Sequence, residues 1–136
     1  MSENVIRQCI KLLESALKSE IKTWVDPDTN LEWEVETSKK KMSQEEGLKY
    51  AESLGEGWRL PTIKELISLV DYERSHSSCK TNNLQTSSAC YWSSTNYIGD
   101  SDNALNMNFK DGSVSYDEKS YSHYVRCVKH DKTPKP

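Results

Sequence analysis

Aromatic, amide and carboxylate side chains are concentrated between residues 96 and 123, near the end of this 136-residue chain. Tyrosine offers a rigid ring with a polar end, and asparagine offers adaptable hydrogen bonds, so the mixture suits recognition of a sugar or of a protein surface. Two stretches, 96–103 and 116–123, carry these side chains and have no obvious packing duty. The residues that we predict to bind a ligand are Asn96, Tyr97, Asp100, Asp102, Asn103, Tyr116, Tyr121 and His123.

The oxygen atoms of Asp100, Asp102 and Asn103 also belong to the ligand types that Ca²⁺ prefers. An EF-hand loop that starts at Asp100 would need an oxygen ligand at its fifth position and glycine at its sixth. The sequence has Ala104 and Leu105 there, so we predict no EF-hand. No resident cofactor is predicted, and a loose calcium site on the three oxygen-bearing residues stays open as the alternative.

Nothing in the sequence forms a recognised catalytic motif. There is no Gly-x-Ser-x-Gly elbow for a serine nucleophile and no glycine-rich loop for a phosphate. The four cysteines, Cys9, Cys79, Cys90 and Cys127, include no Cys-x-x-Cys pair of the kind found in zinc ribbons. Cys79 and Cys90 flank a polar loop that a disulfide could close; otherwise all four remain reduced thiols. We therefore predict no catalytic residues and no metal ligands.

The charge and hydropathy of the chain argue against two classes of partner. The net charge is −3 and the isoelectric point is near 5.6, whereas proteins that bind nucleic acid usually carry a basic stripe. No apolar run approaches the roughly 20 residues that span a bilayer. The first residues also lack the basic and apolar regions of a secretory signal. We expect a cytoplasmic location for the chain as it stands, or an extracellular one if it has been trimmed.

Residues 1–22 are predicted to form an amphipathic helix that precedes a domain at 23–129. The polar half of this helix mixes acidic and basic side chains, which argues against a membrane surface as its partner. So broad an apolar stripe has to be buried, either against the chain's own domain or against a second copy in a homo-oligomer. The apolar half comprises Val5, Ile6, Cys9, Ile10, Leu12, Leu13, Ala16, Leu17 and Ile21.

Short strands must position the ligand-binding stretches. Apolar and polar residues alternate in several short runs, which is the pattern of half-buried strands. Asp111–Gly112 is a two-residue turn signal of the kind that joins the strands of a hairpin. Loops are predicted at 96–104 and 117–122. The predicted strands lie at 24–25, 31–35, 91–95, 105–109, 114–116 and 124–128.

Two further helices are indicated by capping boxes, in which the first and fourth residues satisfy each other's backbone donors. Ser43 with Glu46 predicts a helix near 44–54, and Thr62 with Glu65 predicts one near 62–72. Residues 130–136 contain two prolines and are predicted to form a flexible tail.

Three motifs in this order resemble one protein family. They are the run from Gly57 to Val70 that contains Trp-Arg-Leu-Pro-Thr, the run Tyr-Trp-Ser-Ser-Thr at 91–95, and Tyr-Val-Arg-Cys-Val at 124–128. The chain resembles, over residues 24–128, the C-terminal domain of bacterial collagen-like adhesins. The fold of that family is related to C-type lectins and to formylglycine-generating enzymes. The resemblance implies an α+β protein of C-type-lectin-like fold, with two helices packed on a small antiparallel twisted sheet with long loops.

The resemblance also bears on function. The adhesin relatives bind sulfated polysaccharides through a basic surface; this chain is acidic, so that ligand is not carried over. The residues and the resemblance together predict a non-catalytic ligand-binding or adhesion module that recognises a glycan or a protein through its loop face. Two other classes stay open, namely a cysteine-dependent enzyme related to sulfatase-modifying factors, and a structural or assembly subunit that uses the N-terminal helix as its interface.

Overall fold

A computed structural model of the chain describes residues 3–19, 21–74 and 77–131. Most of the predicted tail, 132–136, and residues 1, 2 and 20 of the predicted N-terminal helix therefore lie outside the described residues. The elements, in chain order, are α1 (Glu3–Ser19), β1 (Thr23–Val25), β2 (Leu31–Glu34), α2 (Gln44–Leu54), α3 (Ile63–Ile67), β3 (Cys90–Tyr97), β4 (Asp100–Asn108), β5 (Ser113–Glu118) and β6 (Val128–His130).

The strands form two small antiparallel sheets. In one sheet β2 lies between β1 and β6, and Trp33 is paired with both Trp24 and Val128. In the other sheet β4 lies between β3 and β5, and Leu105 is paired with Tyr116. The predicted mixture of helices and antiparallel strands is thus confirmed, but the described strands are divided between two three-stranded sheets where the sequence predicted one.

The core consists of two clusters of buried side chains on either side of β3. Tyr91 belongs to the cluster that contains Trp33 and Phe109, and its ring meets that of Phe109 edge-on at 5.2 Å. Trp92 belongs to the cluster that contains Leu60. Because neighbouring residues of a strand point to opposite faces, one dipeptide of β3 supplies a large aromatic side chain to each cluster.

The segment 123–130, which we call the closing segment, bonds to several separate parts of the chain. Its strand, β6, begins only at Val128, later than the predicted start at residue 124, because Tyr124 makes an isolated parallel bridge to Tyr91 instead of joining a ladder. The backbone partners are Met42 for His123, Trp92 for Tyr124, Ser38 for Val125, Glu34 for Cys127, and Arg59 for Val128.

Arg126 is buried within the closing segment and holds β2 against a nearby loop. Its Nε donates to the carbonyl of Glu34 at 2.9 Å, and its Nη2 donates to the carbonyl of Val35 at 3.1 Å and to that of Gln85. Its Nη1 donates to the hydroxyl of Thr86 at 2.8 Å. A guanidinium with five donors can satisfy all these acceptors from one position.

Both capping boxes form, but the two helices differ in how far they extend. Ser43 and Thr62 each accept from the backbone of the glutamate three residues later, which confirms both predicted starts. Helix α2 ends at Leu54 as predicted, whereas α3 ends at Ile67, short of the predicted residue 72. The chain leaves the helix because Val70 forms an antiparallel bridge with Cys79.

The stretch 96–104, predicted to be a loop, is a β-hairpin. Strand β3 continues to Tyr97, β4 begins at Asp100, and Ile98–Gly99 forms the turn between them. The register shifts between Trp92 and Tyr97, so the pairing is irregular. Polar residues fill both faces of these strand ends, and the alternation that signals a strand is therefore missing.

Helix α1 does not pack against the rest of the chain in the part whose side chains are described, residues 3–13. All of these side chains are exposed, including Leu12 at 71 % and Leu13 at 64 %. Burial of the apolar stripe against the chain's own domain, one of the two expected arrangements, is therefore not observed for these residues.

Candidate functional site

Two tyrosines stack on one face of the β3–β4–β5 sheet. The rings of Tyr97 and Tyr116 are 4.1 Å apart between centroids and inclined by only 17°. Tyr116 remains 49 % exposed. Because side chains alternate along a strand, Val114 and Glu118 lie on the same face as Tyr116, and Leu105 joins them from β4 through its pairing with Tyr116. We call this the tyrosine face.

An open depression of about 430 Å³ lies at one end of the tyrosine face. The pairing of Asn103 with Glu118 follows that of Leu105 with Tyr116 by two residues, so these two pairs share a face. Three carboxylates and one lysine line the depression, which gives it an excess of negative charge. Its lining residues are Asp100, Asp102, Asn103, Glu118, Lys119 and Ser120.

Hydrogen bonds within the depression fix its shape. Asp100 accepts from the backbone N–H of Asp102 through Oδ1 at 2.9 Å and from Nδ2 of Asn103 through Oδ2 at 3.2 Å. The backbone N–H of Lys119 donates to the carbonyl of Asp102 at 3.0 Å. The three residues considered for calcium are thus hydrogen-bonded to one another at the start of β4. Across residues 3–19, 21–74 and 77–131, no group of three or more His, Cys, Asp or Glu side chains is placed to hold a metal ion.

His123 was predicted to bind a ligand, but it lies on the opposite side of this sheet. Its Nε2 is 2.7 Å from Oδ2 of Asp117, which also accepts from Nδ2 of the buried Asn106 at 3.0 Å. Its ring meets that of buried Trp92 edge-on at 4.7 Å. Asp117 alternates with Tyr116 along β5, so this polar group points away from the tyrosine face.

The two remaining predicted residues stay at the edges of the site. Asn96 is exposed and is paired with Ala104 across the irregular part of the β3–β4 ladder. Tyr121 is exposed and donates its backbone N–H to the carbonyl of Glu118 at 2.9 Å, so its backbone lies beside the depression. Of the eight predicted residues, the structure gathers five: Tyr97, Asp100, Asp102, Asn103 and Tyr116.

Sequence reasoning missed Glu118, Lys119 and Ser120, which line the depression. For Glu118, the alternation of side chains along β5 did offer a sequence signal, although a short one. Val114, Tyr116 and Glu118 alternate with polar residues, and extending that alternation by one position would have put Glu118 on the face of Tyr116.

All four cysteines are free thiols in the structure, so the disulfide that the spacing of Cys79 and Cys90 permitted is not formed. Cys79 is buried in the cluster around Trp33, whereas Cys90 is half-buried at the start of β3. Burial and then the neighbouring Glu34 carboxylate raise the pKa of the Cys127 thiol well above its ordinary value, and burial raises that of Cys90. A raised pKa disfavours the thiolate, which is the nucleophilic form.

Comparison with protein families gives a match that covers most of the chain. The family model of the Lcl C-terminal domain matches residues 22–129. A comparison with curated proteins gives no significant match. None of the described helices is long and apolar enough to cross a membrane.

Proposed function

Because the chain belongs to the Lcl C-terminal domain family, a bacterial collagen-like adhesin-type family, we propose that it is a non-catalytic adhesion module with a glycan as its ligand. The single observation that carries the proposal is the tyrosine face with its adjoining depression. We further propose that the two sheets and helices α2 and α3 form a C-type-lectin-like fold, as the sequence motifs imply.

The chemistry of the face favours a sugar. The face of an aromatic ring is electron-rich and packs against the C–H groups of a pyranose ring, which are weakly positive. The exposed side of Tyr116 supplies such a surface. Carboxylate and amide groups at Asp102, Asn103 and Glu118 can accept or donate hydrogen bonds to sugar hydroxyls beside it.

The excess of carboxylates selects among sugars. A sulfated glycan would bring negative charge next to Asp100, Asp102 and Glu118, which repels it. A neutral glycan or one with an amino group meets no such repulsion. We therefore propose a neutral or amino sugar, in contrast to the sulfated ligands of the collagen-like relatives.

The thiols give little support to the alternative of a cysteine enzyme. The raised pKa values of Cys90 and Cys127 oppose thiolate formation, and Cys79 is buried among apolar side chains. Cys9 is exposed, but it lies on α1 outside the tyrosine face.

A glycan array probed with the full chain, followed by calorimetry with the best neutral or amino glycan, tests the proposal. Replacing both Tyr97 and Tyr116 with alanine should weaken binding by about thirtyfold, because each ring contributes on the order of 1 kcal/mol and the two together about 2 kcal/mol. Tyr72→Ala is the matched control, since Tyr72 is also exposed but contacts Gly112 at the far end of β5. Equal affinity of the double variant and the control would contradict the proposal, as would a preference for sulfated glycans.

A second candidate function, a subunit that assembles through α1, is favoured by the exposed apolar stripe of that helix. Ile6, Ile10 and Leu13 are all about half exposed or more, and they share one side of the helix. A stripe of this kind is stabilised when two helices bury it against each other.

Light scattering on the full chain tests this second candidate. Replacing Ile6 and Leu13 with glutamate should reduce an oligomer to monomers, because the change puts charges in the helix–helix contact. The control replaces Asn4 and Gln8 with glutamate, which adds the same charge to the polar side of α1. A monomeric mass for the unmodified chain at high concentration would rule out assembly through α1.

A further inference from the structure

The two sheets differ in how their edges are protected. On β6, the outer edge bonds to Arg59, which exchanges two backbone hydrogen bonds with Val128 at 3.0 and 2.9 Å. The outer edge of β3 bonds to Tyr124 and to Pro61. Strand β1 is an edge of only three residues, and short edges are a known protection against unwanted pairing. Strand β5 has six residues, contains neither proline nor lysine, and pairs only with β4 in the described part of the chain.

The hydrogen-bond pattern identifies which backbone groups of β5 face outward. In an antiparallel pair, residues that bond to the neighbouring strand alternate with residues whose N–H and C=O point away. If the pairing of Asn103 with Glu118 is continued by one residue, Lys119 lies opposite Asp102. Lys119 donates its N–H to the carbonyl of Asp102, so Lys119 is one of the residues that bond to β4. By this alternation, the backbone N–H and C=O groups of Ser113, Ser115 and Asp117 point towards β4. Those of Val114, Tyr116 and Glu118 point outward, away from β4.

These outward-facing groups are largely unused. Among the described residues, no hydrogen bond involves the N–H groups of Val114, Tyr116 or Glu118 outside the strands. The carbonyl of Glu118 accepts from Tyr121, which leaves the carbonyls of Val114 and Tyr116 open. Their side chains are 43 % and 49 % exposed. Together they offer a ladder of donors and acceptors beside an apolar row, the two features by which a strand recognises another strand.

Charge decides which strand fits. The exposed and half-buried side chains around β5 carry more carboxylates than lysines, so a second copy of the chain would bring like charges together at this edge. A basic segment would instead find an excess of negative charge at the Glu118 end of the strand, and the carboxylate of Asp111 at the other end. The carboxylates are Asp100, Asp102, Asp111 and Glu118, and the lysines are Lys110 and Lys119.

We propose that the β5 edge binds an extended, basic segment of a partner protein, which adds a fourth strand to the β3–β4–β5 sheet. Its backbone pairs with Val114, Tyr116 and Glu118, and its alternate side chains lie against Val114 and Tyr116. Lysine or arginine at its ends meets the carboxylates. This site shares Val114, Tyr116 and Glu118 with the tyrosine face, but it uses their backbone groups and does not depend on the sugar-binding role proposed for that face.

The test uses the full chain and a defined probe, the acetylated and amidated peptide Lys-Val-Thr-Val-Thr-Val-Lys. On binding, amide hydrogen exchange should slow at Val114 and Tyr116, whereas Ser113 and Ser115, already bonded to β4, should change little. Two control peptides, one with proline at the central valine and one with glutamate in place of both lysines, should bind at least tenfold more weakly.

Variants of β5 provide an independent test of the proposal. Val114→Pro removes one outward N–H without removing a bond to β4 and should weaken peptide binding at least tenfold. Val114→Thr keeps the N–H and the branched shape, and it should stay within about twofold of the parent. The exchange measurement on the parent chain keeps the test decisive if Val114→Pro does not fold. Absence of protection at Val114 and Tyr116, equal binding of the glutamate peptide, or a dimer of the parent that Val114→Pro dissolves would each overturn the proposal.

Discussion

Replacing Arg126 with methionine should strongly destabilise the fold, although methionine fills a similar volume. The guanidinium supplies the carbonyls of Glu34, Val35 and Gln85 with donors in a buried region. The carbonyl of Val35 still accepts from the N–H of Gln85, and the carbonyl of Gln85 still accepts from the hydroxyl of Thr37. The carbonyl of Glu34, by contrast, loses its bond from Arg126 without a replacement.

The magnitude follows from these acceptors. A buried acceptor that loses its only donor costs about 1–3 kcal/mol of folding free energy. The carbonyls of Val35 and Gln85 each lose one of two donors, which adds to this cost. Relief from burying the charge offsets part of the total. We expect a net loss of about 2–4 kcal/mol, which is a large share of the roughly 5–15 kcal/mol that stabilises a typical domain.

Urea unfolding followed by tryptophan fluorescence measures this loss. Arg59→Met is the matched control: its guanidinium bonds the Glu65 carboxylate at 2.7 Å but its side chain is 36 % exposed, so we expect a loss of no more than about 1 kcal/mol. Equal losses for the two variants, or a loss below about 1 kcal/mol at Arg126, would refute the reasoning.

Two other predictions concern ionisation. Burial alone would raise the pKa of Glu65, but hydrogen bonds from Arg59 and Thr62 outweigh it and hold the pKa below its ordinary value of 4.5. A carboxylate with a lowered pKa stabilises the fold above pH 4.5 and loses that contribution as the pH falls through its folded pKa. Melting temperatures from pH 6 to pH 3 should therefore fall less steeply for Glu65→Gln than for the parent, and parallel curves would contradict the assignment. Thiol labelling of the native, unreduced chain should modify Cys9 rapidly, and Cys79 and Cys127 only after unfolding. A mass two hydrogens below that of the reduced chain, with Cys79 and Cys90 joined in one proteolytic fragment, would instead show that these two thiols form a disulfide.

Local signals in the sequence predicted the local features well. The capping boxes at Ser43 and Thr62 depend on residues three positions apart, and both helix starts are confirmed. The hairpin predicted at Asp111–Gly112 also forms, although its connection spans four residues, 109–112, and not two. Gly112 has φ 79°, a conformation that favours glycine.

Features that depend on distant pairing could not be predicted in the same way. Helix α3 ends early because Val70 pairs with Cys79, and nothing near Ile67 in the sequence encodes that partner. The sequence grouped His123 with Tyr116 and Tyr121, whereas in the structure it contacts Asp117, and that contact depends on how β5 meets the segment around residue 123. The depression beside Tyr116 follows from the register of β4 and β5, which the composition of each strand alone does not determine.

The position of the closing segment has a consequence for how the protein is made. Residues 123–130 complete the sheet of β1 and β2, cover the outer edge of β3 and bond to Met42 and Arg59. A ribosome makes these residues after the strands and helices that they bond to, so neither core cluster can be sealed until residues 123–130 have been made. Folding of this domain must therefore wait until residues 123–130 are available, and a chain cut short before residue 123 would expose Trp33 and Trp92 to chaperones and proteases.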